Sequence, residues 1–252
     1  MYPPVIMKQT FYKPGFILLW IGIFAVAMGY LESAVVIYLR TVFYPEGFAF
    51  PIKALGFRLT ITELLRETAT IIMLITLGIV TVKKPLVRFA VFIYAFAIWD
   101  ICYYLFLFLL VGWPGSFFTW DLLFLIPCPW TGPVAAPLIN SVTMIVLAVL
   151  ITVFNSRQHK APLRTSEWFL LIAGSVITII AYTSDYLIFM LQKFPMVKII
   201  TISPEVVVQE YTSGYVPDHF NWVLFSVAEI LFIAALMTYS LRYRKKKRSP
   251  LK

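Results

Sequence analysis

Charged residues and histidine are scarce in this sequence. Only 13% of its 252 residues are charged, against about 25% in soluble domains, while 61% are hydrophobic. This composition excludes an ordinary soluble domain and is typical of a membrane protein. The two histidines, His159 and His219, lie outside the long hydrophobic segments. Haem-bearing helix bundles are therefore excluded, because they need paired histidines within the membrane.

Cysteine is equally rare, with Cys102 and Cys128 as the two examples. Two cysteines do not make a disulfide framework. One disulfide between them would need an oxidising outer face, and free thiols in apolar surroundings are the expected state. Internal repeats are also absent, which disfavours a transporter built from two related halves.

Six hydrophobic segments are each long enough to cross a bilayer, for which about 20 helical residues suffice. We therefore expect an all-α integral membrane protein, a six-transmembrane-helix bundle. A single domain, residues 1–242, precedes a basic tail, residues 243–252. The predicted spans are residues 16–39, 59–82, 86–112, 134–155, 168–192 and 221–242.

The basic residues are divided unequally between the two ends of the predicted helices. Most of the 21 lysines and arginines lie in the N-terminal segment, in the second and fourth connections, and in the tail. The positive-inside rule then places both termini in the cytoplasm. We expect an integral protein of a prokaryotic cytoplasmic membrane, whose tail contacts anionic lipids. The same distribution argues against nucleic acid as a partner.

The predicted outer loops are longer than the cytoplasmic ones. Residues 113–133 are apolar and rich in tryptophan, as expected of a segment at the lipid headgroups or one that dips back into the bundle. In the last outer loop, residues 198–202 and 206–211 have the composition of a small β-hairpin. Arg40, at the outer end of the first span, is expected to be an interfacial anchor.

Six carboxylates lie within the hydrophobic spans, and Arg66 is the one arginine there that lies away from the span ends. Burying a charge in hydrocarbon is costly, so acids in such segments are candidates for a functional site. At about 1.5 Å of rise per residue, most of them lie roughly 12 Å below the outer surface. We expect one layer of acids in the outer half of the bilayer, in a site that opens outward. The acids are Glu32, Glu63, Glu67, Asp100, Asp185 and Glu229.

Local spacing suggests partners for these acids. Glu63 and Glu67 are four residues apart and share one helix face, with Arg66 beside them. Three other acids have a hydroxyl residue at helical spacing, which could orient the carboxylate. These pairs are Asp100 with Tyr103 and Tyr104, Asp185 with Tyr182, and Glu229 with Ser226.

The excess of negative charge limits what the acids can do. Carboxylates without counter-charges are not viable in a low dielectric, so some must be protonated or must bind a cation. Oxygen ligands favour a hard divalent cation over zinc. The candidate metal ligands are Glu32, Glu67 and Asp100, with His219 as a weaker one.

We assign the remaining roles as hypotheses. Glu63, Glu67 and Asp100 are the candidate catalytic residues, since a carboxyl group can act as a general acid or base. The candidate binding residues for a substrate or cation are Glu32, Arg66, Tyr103, Tyr104, Asn140, Asp185 and Glu229.

Three functions remain open from the sequence. The first is a membrane-embedded enzyme that acts on a lipid or a lipid-linked substrate. The second is a small proton- or cation-coupled transporter or channel, which would need polar residues through to the inner face. The third is a structural or assembly subunit, in a homo-oligomer or a larger membrane complex.

Overall fold

The computed structural model describes residues 13–53, 55–157, 161–193 and 214–246, and these are mostly helical. Each of the six helices in this part of the chain is long and apolar enough to cross a membrane. The chain is therefore a multi-pass membrane protein, and the predicted all-α six-helix fold is confirmed. The helices are α1 (Pro14–Phe43), α2 (Phe57–Thr81), α3 (Pro85–Val111), α4 (Ala135–Arg157), α5 (Thr165–Lys193) and α6 (Trp222–Lys246).

Proline and glycine mark several helix ends. Pro14 and Pro85 occupy the first turns of α1 and α3, where the missing N–H costs no helical hydrogen bond. Gly112 ends α3 in the left-handed conformation, with φ of 67°. A residue without a Cβ atom adopts this conformation readily.

Helix α3 lies at the centre of one half of the bundle and contacts α1, α2 and α4, while α6 packs against α4 and α5. Small residues allow two of these close approaches. A Cβ atom on Gly29 of α1 would lie 2.8 Å from the Cβ of Cys102, and one on Gly78 of α2 would lie 2.6 Å from the carbonyl oxygen of Arg88. Cys102 and Cys128 are both free thiols.

The outer surface of the bundle is apolar, as a lipid environment requires. Large hydrophobic side chains on several helices are more than 60% exposed, including Leu31, Val42, Phe169 and Ile230. In water such a surface would be unfavourable, whereas in a bilayer it contacts acyl chains.

The loop between α3 and α4 forms a hairpin of two antiparallel strands, β1 (Trp120–Phe124) and β2 (Trp130–Pro133). The register shifts between Leu122 and Phe124, where β1 is irregular. Strand β2 contacts α5, so the hairpin lies against the bundle. We call this end of the bundle the hairpin end; the charge distribution predicts that it faces outward. The hairpin predicted at residues 198–202 and 206–211 lies outside the described residues.

Hydrogen bonds tie α4, α5 and α6 together at the opposite end. Asn155 Nδ2 and the Tyr239 hydroxyl both donate to the carbonyl oxygen of Ala161, at 3.0 and 2.9 Å. The buried carboxylate of Glu167 accepts from Arg242 at 2.5 Å. This end of the bundle is thus closed by specific polar contacts.

Candidate functional site

Helices α1 and α2 are joined by an ion-paired group around Arg66. Its NH1 donates to Glu32 of α1, while Nε and NH2 lie 2.9 and 2.8 Å from Oε2 of Glu63 on α2. All three side chains are largely shielded from solvent, with Glu63 the most buried. Two of the six acids, Glu32 and Glu63, therefore bind the guanidinium of Arg66.

Glu67 connects α2 to the hairpin. Both carboxylate oxygens accept from the backbone N–H of Leu125, at 3.1 and 2.9 Å. Leu125 directly follows β1, so this contact brings the loop of residues 113–133 over α2. Glu67 is buried, and the partner found for it is a neutral N–H group rather than a cation.

A second ion pair fixes the hairpin to α1. Arg40 NH2 donates to Asp121 Oδ1 at 3.1 Å, and its guanidinium carbon lies 3.8 Å from the ring centroid of Trp113. The hydroxyls of Tyr104 and Tyr103 donate to Asp121 Oδ2 at 3.2 and 3.5 Å. Arg40 is thus the partner of a buried acid, a contact that its expected role as an interfacial anchor did not include.

Burial raises the pKa of Asp121 above its ordinary value of 3.8, although Arg40 acts in the opposite direction. Only 1% of the residue is exposed, so desolvation of the ionised form dominates. Arg40 and the tyrosine hydroxyls stabilise the ionised form of Asp121. The stability of the ion pair between Arg40 and Asp121 should therefore depend on pH.

Asp100 has a different partner from the one that helical spacing suggested. Its Oδ2 accepts from the hydroxyl of Ser141 on α4 at 2.8 Å. Tyr103 and Tyr104 direct their hydroxyls to Asp121 instead, so their predicted role in orienting Asp100 was wrong. The physical reason is that the hairpin places a second carboxylate near these tyrosines, at the end of α3.

Asn140 forms a polar link among α4, α5 and α6. Its Nδ2 donates to Glu229 at 2.5 Å, and its Oδ1 accepts from the hydroxyl of Tyr182 at 2.7 Å. Thr143 also donates to Glu229, at 2.8 Å. The acid on α6 is therefore held by α4, and the predicted pairing with Ser226 on its own helix was wrong.

Asp185 stabilises the chain that leads into α6. It accepts from the hydroxyl of Tyr215 at 2.6 Å and from the backbone N–H groups of Asp218 and His219, at 3.3 and 3.2 Å. Burial and the hydrogen bond to Asp185 raise the pKa of Tyr215. Tyr182 donates elsewhere, so its predicted pairing with Asp185 was wrong.

One cavity of about 590 Å³ collects most of the predicted site residues, and its size is typical of ligand pockets. Its wall is polar at the hairpin end. The predicted residues on this wall are Glu32, Arg66, Glu67, Asp100, Tyr103, Tyr104 and Asn140. Among the described residues, Glu63, Asp185, Glu229 and His219 do not line the cavity; Glu63 and Glu229 contact residues that do.

The wall becomes apolar towards the opposite end of the bundle. Phe89 of α3 lies about 22 Å along the helix from Tyr104, at 1.5 Å of rise per residue. The cavity is therefore elongated along the bundle and amphipathic. The apolar residues at this deep end are Phe89, Phe92, Leu171, Phe232 and Leu236.

The cavity does not gather the predicted metal ligands into a coordination site. In the described part of the chain, no group of three or more His, Cys, Asp or Glu residues is arranged to hold a metal ion. Glu32, Glu67 and Asp100 share the cavity wall, but they are held by Arg66, by a backbone N–H and by Ser141. The arrangement of these three acids does not support the predicted binding of a hard cation, which stays a prediction.

Several wall residues were not found by reasoning from the sequence. Trp99, Trp130 and Thr178 line the cavity, but nothing in their local sequence separates them from core or interfacial residues. Asp121 does not line the cavity but pairs with Arg40, and it offered a better signal, because it is the one acid in a loop without basic residues. Its partner Arg40 lies 81 positions away, so helical spacing could not identify the pair.

Comparisons of the chain with protein-family models, with curated proteins and with solved structures each gave no match. The candidate function therefore rests on the cavity and on the chemistry of its wall.

Proposed function

We propose that this membrane protein binds a lipid or a lipid-linked molecule and acts on it as a membrane-embedded enzyme. One observation supports this function above all: the cavity is polar at the hairpin end and apolar at the deep end. An amphiphile would place its head near Glu67 and Asp100 and its tail beside Leu171 and Leu236. The proposed orientation matches a lipid of the outer leaflet.

A lateral entrance between α2 and α5 would let the lipid reach the cavity. Both helices line it, yet α2 packs mainly on α3 and α5 packs mainly on α6. In the described part of the chain, no extensive contact joins α2 to α5. A lipid could therefore enter from the bilayer without crossing water.

Glu67 and Asp100 are the proposed acid–base residues. Both line the cavity, and their partners are the N–H of Leu125 and the hydroxyl of Ser141 rather than cations. A carboxyl group in such a place can accept or donate a proton at the lipid head. Glu63 is engaged by Arg66 and does not line the cavity, so we propose a positioning role for it.

A bulky residue in the apolar part of the cavity should block lipid binding. Ser175 lines the cavity, whereas its neighbour Val176 is 50% exposed and is not part of the wall. We expect Ser175→Phe to reduce the lipid retained by the purified protein about tenfold, which corresponds to about 1.4 kcal/mol of binding free energy. Native mass spectrometry in detergent measures the bound fraction.

Val176→Phe is the matched control, since it adds the same side chain to the same helix on the lipid-facing side. Both variants should keep the thermal unfolding midpoint of the wild type. Equal lipid retention in the two variants would count against the cavity as the binding site.

The transporter alternative has a separate test. Among the described residues, the deep end of the cavity is lined mainly by apolar side chains, which argues against a polar path to the opposite face. Cation flux in proteoliposomes that disappears in Glu67→Gln would favour transport over the proposed lipid chemistry.

A further inference from the structure

The apolar part of the cavity has a definite length. On α3 the wall extends from Asp100 to Phe89, and on α5 it extends from Tyr182 to Leu171. The two residues of each pair are 11 positions apart, which is about 16 Å at a rise of 1.5 Å per residue. Asp100 and Tyr182 lie at the polar end, where the head of a bound lipid would be placed. Two helices thus give the same length for the part that would take the tail.

The deep end of the cavity is closed by packed and hydrogen-bonded side chains. Tyr239 lies about one turn beyond Leu236 on α6, is fully buried, and donates to the carbonyl oxygen of Ala161 at 2.9 Å. The ring of Phe89 packs against Trp168, with the two ring centroids 5.3 Å apart. Tyr239 and Trp168 do not line the cavity. Within the described part of the chain, the cavity therefore ends at the level of Phe89 and Leu236.

The cavity is wide enough for one acyl chain. Its volume of about 590 Å³, spread over the roughly 22 Å between the levels of Tyr104 and Phe89, gives a mean cross-section of about 27 Å². Apolar carbon chains in contact lie about 4.5 Å apart, so one chain occupies about 20 Å² and two chains occupy about 40 Å². A second chain of the same lipid would have to stay outside, in the opening between α2 and α5.

These dimensions define the tail of the ligand. An extended hydrocarbon chain advances about 1.25 Å per carbon, from its C–C bond length and bond angle, so about 16 Å accommodates about 14 carbons. We propose that the cavity holds one extended acyl chain and selects its length, with a preference for about 14 carbons. This inference rests on the proposed lipid-binding function and adds the class of tail that the site accepts.

A closed end of fixed position makes binding depend on chain length. A longer chain would lift the head away from Glu67 and Asp100 or would have to bend inside the cavity. A shorter chain would leave space at the deep end, where the wall would lose dispersion contacts. Leu236 lines this end and is only partly buried by other protein groups, so its side chain helps to set the accepted length.

Monoacylglycerols with chains of 10 to 20 carbons test the preference, because they share one head and differ only in length. Each is added to the full-length protein in detergent, and native mass spectrometry measures the bound fraction. We expect the highest affinity at about 14 carbons. Chains four carbons shorter or longer should bind at least about threefold more weakly, a modest difference because the micelle also solvates CH₂ groups.

A diacylglycerol with one 14-carbon and one 20-carbon chain distinguishes two sources of the tail. Affinity equal to that of the 14-carbon monoacylglycerol would identify two-chain lipids as ligands, with the second chain in the lateral opening. Loss of binding would restrict the site to single-chain lipids.

Variants of Leu236 test the deep end. We expect Leu236→Trp to shorten the apolar part by about 3 Å and to move the preferred length about two carbons lower. Leu236→Ala should move it in the opposite direction, and it provides a test even if overpacking unfolds the tryptophan variant. Met237→Trp is the matched control, since Met237 is 57% exposed and does not line the cavity. Its preferred length should equal that of the wild type.

The outcomes separate this inference from the proposed function. Affinity that rises steadily with chain length, but is still reduced by Ser175→Phe, would overturn the length selection and leave lipid binding intact. The same preferred length in both Leu236 variants and in Met237→Trp would overturn the deep end as its cause. Failure of all the monoacylglycerols to bind would overturn both proposals.

Discussion

Replacement of Arg66 by methionine should lower the free energy of unfolding by about 3–5 kcal/mol, the usual cost of removing one partner from a buried ion pair. Arg66 holds Glu32 on one side and Glu63 on the other, and all three side chains are largely shielded. Without the guanidinium, two carboxylates would face each other in a low dielectric. Thermal or chemical unfolding in detergent measures the loss.

Two variants show whether the effect depends on the ion pairs. Arg66→Lys should lose less stability than Arg66→Met, because it keeps the charge but cannot reproduce the fork of hydrogen bonds. Arg58→Met changes an exposed arginine at the start of the same helix and should stay within about 0.5 kcal/mol of the wild type. Equal stability of Arg66→Met and Arg58→Met would refute the buried ion pairs.

Replacement of Arg40 by methionine should also cost about 3–5 kcal/mol at neutral pH, by the same mechanism. It leaves Asp121, which is 1% exposed, with the tyrosine hydroxyls but no cation. The hairpin should then detach from α1 and uncover the polar end of the cavity. Unfolding of wild type and variant across a pH range measures the cost.

The pH dependence follows from the raised pKa of Asp121. An acid whose pKa is raised on folding holds its proton more tightly in the folded state, so stability falls as the pH rises through the folded-state value. Loss of Arg40 raises this pKa further. The deficit of Arg40→Met should therefore be small below pH 3.8, the ordinary value for aspartate, and should grow as the pH rises.

A double variant measures the contribution of the ion pair between Arg40 and Asp121. Arg40→Met combined with Asp121→Asn removes both charges, and it should recover most of the stability lost in the single variant at neutral pH. A deficit that does not change with pH, or a double variant as unstable as Arg40→Met, would show that the ion pair is not the cause.

Hydropathy predicted the fold well, because a membrane span is a property of consecutive residues. The apolar windows that the bilayer requires are visible in the sequence, and the six helices follow from them. The rarity of acids in such windows also directed attention to Glu32, Glu67 and Asp100, which now line one cavity.

The partners of these acids could not be predicted from the sequence. Helical spacing identifies which residues can touch along one helix, whereas Asp100, Glu229 and Asp185 are held from other elements. The structural role of Asp121 was missed because it arises from the hairpin, which brings this acid to Arg40 and Tyr104. Contacts between distant positions depend on helix packing, which no local pattern encodes.

The shape of the cavity could not be predicted from the sequence either. The sequence indicated that the acids lie in the outer halves of the helices, but not that the helices surround a space. Leu171 and Leu236 could have been core or lipid-facing residues, and only the arrangement of α5 and α6 places them on a common wall with Glu67. The proposed lipid site therefore depends on the amphipathic cavity, and the layer of acids alone would not have indicated it.

Photo-crosslinking of a bound lipid tests this account most directly. A glycerolipid with a diazirine at the end of its acyl chain is bound to the protein, activated by light and mapped by mass spectrometry of the peptides. We predict crosslinks at the deep end of the cavity, to Leu171, Phe232 or Leu236, and their loss in Ser175→Phe but not in Val176→Phe. Crosslinks confined to lipid-facing residues such as Ile172 and Ile230, unchanged in both variants, would contradict a lipid tail inside the bundle.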